Sequence, residues 1–113
     1  MHELSLAMSL LEVCEEEATR IGVKKIKTLI VEVGELSGVS VPALDSAFGI
    51  ASRGTVAEGA ALSIRNMPGT GWCLSCERAV RIQDPFRSCP DCGGSRILPT
   101  GGMEFCLKEF VCD

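Results

Sequence analysis

Residues 72–94 read "WCLSCERAVRIQDPFRSCPDCGG", with Cys73 and Cys76 in one Cys-x-x-Cys step and Cys89 and Cys92 in a second, twelve residues further on. A two-residue gap lets both sulfurs of a tight turn face one ion, and two such turns fill the tetrahedral shell that zinc prefers. Four thiolates leave no open position, so the spacing reads as a closed structural zinc site rather than a catalytic one. Gly93 and Gly94 follow the second pair and allow the positive φ that such turns need. A module of about 30 residues buries too little surface to fold alone, so the metal would supply folding energy.

The segments on either side decide how this module is attached. Upstream, "PGTGW" (68–72) is a breaker cluster, and Thr100-Gly101-Gly102 is another downstream. Before the first lies "AALSIRNM" (60–67), a strand with Leu62 and Ile64 on one face. After the second lies "MEFCLKEFVC" (103–112), where Phe105, Leu107, Glu109 and Val111 alternate with Glu104, Cys106, Lys108, Phe110 and Cys112. Residues 70–98 are thus an insertion between two strands of one α/β unit, which itself comprises 1–69 and 99–113.

The rest of that unit follows from periodicity. In 3–21, Leu4, Ala7, Met8, Leu11, Cys14, Ala18 and Ile21 recur at helical steps, with Leu6, Leu10 and Val13 widening the stripe. Glu16 stands four residues before Arg20, and Gly22 is a C-terminal stop. Residues 25–36, "KIKTLIVEVGEL", alternate as a strand with Leu29, Val31 and Val33 on one face. Ser40 and Pro42 open a second helix whose buried stripe is Leu44, Ala47, Phe48 and Ala51, ending at Gly54. The expected fold is α+β: two helices packed on a three-stranded sheet, with an inserted four-cysteine zinc-ribbon-like domain.

Composition narrows the function. The formal charge is −4, which does not suit a nucleic-acid binder. Within the module, Arg78, Arg81 and Arg87 are interrupted by Glu77 and Asp84, and only Phe86 could stack on a base. No run approaches the roughly 18 apolar residues of a membrane span. The acidic residues Glu3, Glu12 and Glu15–Glu17 are foreign to a signal peptide, which points to the cytoplasm. Seven cysteines make an odd number, unlike a disulfide framework. Cys14 belongs to the helix stripe, and Cys106 and Cys112 share one strand face as core or edge residues. No nucleophile–base constellation or phosphate loop is present, so turnover is not expected.

One histidine, His2, occurs in the 113 residues. Two readings of it are open. It is an ordinary solvent-facing side chain, or it joins the α-amino group of Met1 and the backbone nitrogens of His2 and Glu3 in a compact nitrogen donor set. Such a set favours square-planar Ni(II) or Cu(II).

"MHELSLAMSLLEVCEEEA", "VEVGELSGV", Pro68-Gly69 and the paired knuckles with Pro90 together resemble the HypA/HybF family of hydrogenase nickel-insertion proteins, along the whole chain. The resemblance implies Ni(II) held by His2, with Met1 through its amine and Glu3 through its backbone nitrogen as co-donors. It implies structural Zn(II) on Cys73, Cys76, Cys89 and Cys92. It further implies delivery of nickel to the large subunit of [NiFe]-hydrogenase alongside the GTPase HypB, by a monomer or homodimer. The competing reading is a zinc-ribbon module that docks on protein or nucleic acid, with His2 incidental.

Overall fold

The computed structural model describes residues 2–84 and 88–112. In chain order the elements are α1 (His2–Ile21), β1 (Ile26–Gly34), α2 (Val41–Ala51), β2 (Ala61–Met67), β3 (Thr70–Cys73), β4 (Arg78–Arg81), β5 (Ile97–Gly101) and β6 (Phe105–Cys112). Two helices and the three-stranded sheet β2-β1-β6 form as expected, and a second sheet is ordered β4-β3-β5.

Two compact units result. The first comprises 1–31, 39–65 and 106–113, and the second 32–38 and 66–105.

In the first unit α1 packs on α2. Ala7, Leu10, Leu11, Cys14 and Ala18 are buried, a narrower arc than the sequence stripe. Leu4, Met8, Val13 and Ile21 are exposed, and the most deeply buried positions are the small residues Ala7, Cys14 and Ala18. Arg20 pairs with Glu17 at 2.6 Å rather than with Glu16. Both side chains are largely solvated, so the pair contributes little. Gly22 ends the helix with φ 77°, the left-handed conformation that closes helices cheaply only at glycine.

Strand β1 buries Leu29, Val31 and Val33 on one face, as period-two alternation requires. Helix α2 starts where Ser40 Oγ accepts the Ala43 N–H at 3.4 Å, with Leu44 and Phe48 buried. It closes at Ser52, whose N–H reaches the Phe48 carbonyl, two residues before Gly54.

Strand β6 departs from simple alternation. Phe105 and Leu107 are half-buried, and so are Phe110 and Cys112, while Val111 is exposed. The covered face changes phase between Leu107 and Phe110, so the bulkier Phe110 takes the sheltered side.

The second unit has its own antiparallel sheet. Trp72 lies opposite Ala79 on β4 and Leu98 on β5, and Gly71 opposite Val80 and Pro99. Its core is small: Cys73, Val80, Ile82 and Cys89, with Leu36, Cys76 and Ile97 packed against them.

Three glycines clasp this unit. The Gly34 N–H donates to the Glu104 carbonyl at 2.7 Å, the Leu36 N–H to the Gly102 carbonyl at 2.7 Å, and the Glu35 N–H to the Met67 carbonyl at 2.9 Å. A Cβ on Gly34 would overlap the Gly102 carbonyl, and one on Gly69 would overlap the Ile82 carbonyl. The "GEL", "PG" and "TGG" segments are therefore a backbone-to-backbone crossing, not merely breakers.

Candidate metal centre

The two knuckles share one backbone solution. In the first, β3 ends at Cys73, and the Glu77 N–H returns to the Cys73 carbonyl at 2.9 Å with Glu77 at φ 54°. In the second, the Gly93 N–H returns to the Cys89 carbonyl at 2.9 Å with Gly93 at φ 74°. Each turn thus needs a left-handed residue just after its second cysteine. The second uses the expected glycine. The first uses a glutamate, which no sequence rule for such turns would select. The Cys89 N–H donates to the Gly94 carbonyl at 2.7 Å and tightens the second turn.

These turns bring the four sulfurs within 4.8 Å of one another. Cys73 and Cys92 Sγ are 3.6 Å apart, and Cys76 and Cys89 Sγ 3.8 Å. A tetrahedron with Zn–S near 2.3 Å has S···S edges of about 3.8 Å, so the set fits one zinc ion. Each close pair takes one sulfur from each knuckle, which is how a single ion would join two turns remote in sequence.

Backbone donors support negative sulfur. The Asp91 N–H points at Cys89 Sγ and the Gly94 N–H at Cys92 Sγ, both at 3.4 Å. The Cys76 amide holds the Cys73 thiol down to about 6. Cys76 goes the other way, to about 12, because burial and its sulfur neighbours oppose a second charge. Four adjacent thiolates need a dication, and zinc binding must displace protons, so affinity for the ion rises with pH.

Among the arginines weighed as nucleic-acid contacts, Arg78 meets Asp91 at 3.7 Å and Arg81 meets Glu35 at 2.6 Å. Phe86 and Arg87 lie outside the described residues. Glu35 also accepts the Gly69 N–H at 3.2 Å, tying the glycine clasp to β4. The Arg81 guanidinium holds the Glu35 carboxyl below its ordinary value of 4.5. A depressed carboxyl stabilises the fold above that ordinary value and loses the contribution as pH falls through the depressed one. Glu35→Gln is therefore expected to flatten the acid limb of stability below about pH 4.5, read as denaturant midpoints across a pH series.

At the other end of the chain, α1 begins at His2, which is exposed. The first amides of a helix have no carbonyl partner within it. Glu3 is half-buried, and its Oε2 accepts the Ser40 N–H at 3.0 Å, a contact that nothing in the local sequence pattern signals. Met1 lies outside the described residues.

The three remaining cysteines separate by environment. Cys14 is fully buried, and burial pushes its thiol up to about 11. Cys106 is exposed and Cys112 half-buried. Iodoacetamide treatment of folded, metal-loaded protein is expected to label Cys106 first and to spare Cys14 until unfolding, as mass spectrometry of peptides would show. Early label on Cys14 would contradict its place in the core.

Among the described residues no helix is long and apolar enough to cross a membrane. A family model described as "Hydrogenase/urease nickel incorporation, metallochaperone, hypA" matches residues 1–112. Among curated proteins, the hydrogenase maturation factor HypA of Cereibacter sphaeroides is 42% identical over 109 residues, covering 96% of each chain. That of Alkalilimnicola ehrlichii is 40% identical over 113 residues, covering all of both chains. The solution structure of the Ni metallochaperone HypA from Helicobacter pylori superposes with a TM-score of 0.65 at 25% identity, covering 96% of this chain and 94% of that one. A second solution structure of a HypA protein gives 0.69 at 27%, covering 97% and 94%. With a four-cysteine site that can hold zinc and a match along the whole fold, the chain belongs to the HypA family of hydrogenase/urease nickel-incorporation metallochaperones.

Proposed function

We propose that this chain carries Ni(II) at its amino terminus and delivers it for [NiFe]-hydrogenase maturation. The His2 imidazole, the Met1 amine and the Glu3 backbone nitrogen are the donors in this reading. Residues 1–69 and 99–113 form the nickel domain. Residues 70–98 form a zinc domain in which Cys73, Cys76, Cys89 and Cys92 hold a resident Zn(II). The partners are the GTPase HypB and the hydrogenase large subunit, met in the cytoplasm, and the chain itself catalyses no reaction.

The observation that carries this reading is the placement of the single histidine. His2 is exposed in the first turn of α1, beside the amino group and in the turn whose amides have no carbonyl partner within the helix. The same placement suits release. The N-terminal end of a helix carries about half a positive charge, which opposes a bound cation. An exposed ion with few ligands, opposed by that field, passes to an acceptor by ligand exchange, whereas four thiolates drawn from two knuckles retain theirs.

Nickel titration of tag-free protein beside His2→Ala tests the reading. The variant is expected to lose nickel binding while keeping its zinc content and helical circular dichroism. Equal stoichiometry and affinity in the two proteins would remove the chaperone role.

A further inference from the structure

We infer that the Glu3 carboxylate is a positioning group that completes the N-terminal cap of α2 from α1, and so fixes the turn presenting His2, rather than serving as a nickel donor. This rests on the N-terminal nickel site proposed above.

In a capping box the N-cap hydroxyl accepts the N–H three residues on, and an acidic side chain at that third position returns to the N-cap N–H. Helix α2 has the first half, with Ser40 Oγ accepting the Ala43 N–H at 3.4 Å. It cannot have the second in the usual way, because the third position is alanine. The missing acceptor comes from 37 residues upstream, where Glu3 Oε2 takes the Ser40 N–H at 3.0 Å. The Ser40 amide holds the Glu3 carboxyl below its usual range, consistent with an acceptor engaged in its charged form.

The consequence is specific to the first turn of α1. Glu3 follows His2 directly, so a bond from its side chain to the start of α2 restrains the backbone nitrogens on either side of the His2 α-carbon. Its Oε2 is engaged by the Ser40 N–H, so the donor that Glu3 offers an ion in this reading is its backbone nitrogen. Outer partners that orient metal ligands commonly matter about tenfold or more in affinity.

Four variants of the tag-free, zinc-loaded full chain separate the roles. Glu3→Gln keeps an oxygen acceptor and is expected to bind nickel within about twofold of the unmodified chain, with the nickel absorption band unmoved. Glu3→Ala is expected to lose about tenfold. Ser40→Ala and Ser40→Pro both remove the hydroxyl, but only proline removes the N–H, and Ser40 at φ −82° is close to what proline adopts. Ser40→Pro is expected to match the loss in Glu3→Ala while Ser40→Ala stays near the unmodified chain. Combining Glu3→Ala with Ser40→Pro should be no worse than either alone. Amide exchange gives a readout without nickel: the Ser40 N–H should exchange faster in Glu3→Ala.

Glu3→Gln as damaging as Glu3→Ala, with a shifted nickel band, would make the carboxylate a donor and overturn the inference. So would a Ser40 amide that exchanges equally fast with and without Glu3. If nickel binding did not distinguish the unmodified chain from His2→Ala, the N-terminal site itself would fall and the positioning role with it. The amide exchange would then still report separately on the cap.

Discussion

Stripping the metal from the four-cysteine cluster is expected to unfold residues 66–105 while the helical signal of α1 and α2 persists. The reason lies in how each unit makes its core. The first buries Leu10, Leu11, Ile26, Leu29, Val31, Leu44 and Phe48, and each such side chain contributes about 1.5–3 kcal/mol when fully buried. The second has Val80 and Ile82 with Leu36 and Ile97, and its other core members, Cys73, Cys76 and Cys89, are the cluster itself. Structural zinc in modules of this kind is worth about 10 kcal/mol or more at neutral pH, on the order of what four aliphatic side chains would supply if all were fully buried, and Leu36 and Ile97 are only partly so. Without it, burial and the neighbouring sulfurs oppose a charged Cys76 in the folded cluster, and the knuckles keep only weak sulfur contacts. Cys89→Ser should act like the chelator, because Cys89 is both a buried core residue and half of the close pair with Cys76. Trp72, the only tryptophan, lies in β3, so its fluorescence would report on this unit while circular dichroism at 222 nm reports on the helices. Coincident loss of both signals would show that the helices also depend on the metal.

The second large effect is expected from one methyl group. Gly34 ends β1 where the Gly102 carbonyl passes, and a Cβ there would overlap that carbonyl and crowd the Met103 amide. The obstacle is backbone, which cannot swing aside as a side chain would, and the same Gly102 carbonyl accepts the Leu36 N–H. Gly34→Ala is therefore expected to destabilise by about 3 kcal/mol or more. Gly49→Ala makes the contrast. Gly49 lies inside α2 with nothing within 4 Å of its absent Cβ. There the same substitution is expected to stabilise by about 0.5–1 kcal/mol, the ordinary helix preference for alanine. Urea midpoints of the two variants would fall on opposite sides of the unmodified chain. Gly34→Ala with an unchanged midpoint would mean that the clasp is loose.

The contrast shows what local sequence carries. Helices α1 and α2 and strands β1 and β2 were readable because each shelters one face of a regular element, which writes a period of 3.6 or 2 into the chain, and β6 was readable from its alternation although its sheltered face changes phase after Leu107. Strands β3, β4 and β5 were not. They span four or five residues each, include Gly71 and Pro99, and face a core built partly of cysteine, so no aliphatic alternation is written. The four sulfurs were readable all the same, because metal geometry fixes the spacing within each knuckle. Contacts between residues far apart in the chain leave no periodic trace: Gly34 against Gly102, Glu35 against Arg81, Glu3 against Ser40. Glu77 is a different case, a residue type that argues against the left-handed conformation it adopts and that the metal knuckle imposes.

The proposed nickel site requires the amino group of Met1 and the side chain of His2 together. Adding a single residue ahead of Met1 moves the amine away while leaving every side chain in place. Isothermal titration of that extended protein with Ni(II), beside the unmodified tag-free chain at equal zinc content, is the direct test. Loss of nickel binding with zinc and helical signal intact is the expected result. Unchanged nickel affinity in the extended chain would remove the Met1 amine from the donor set.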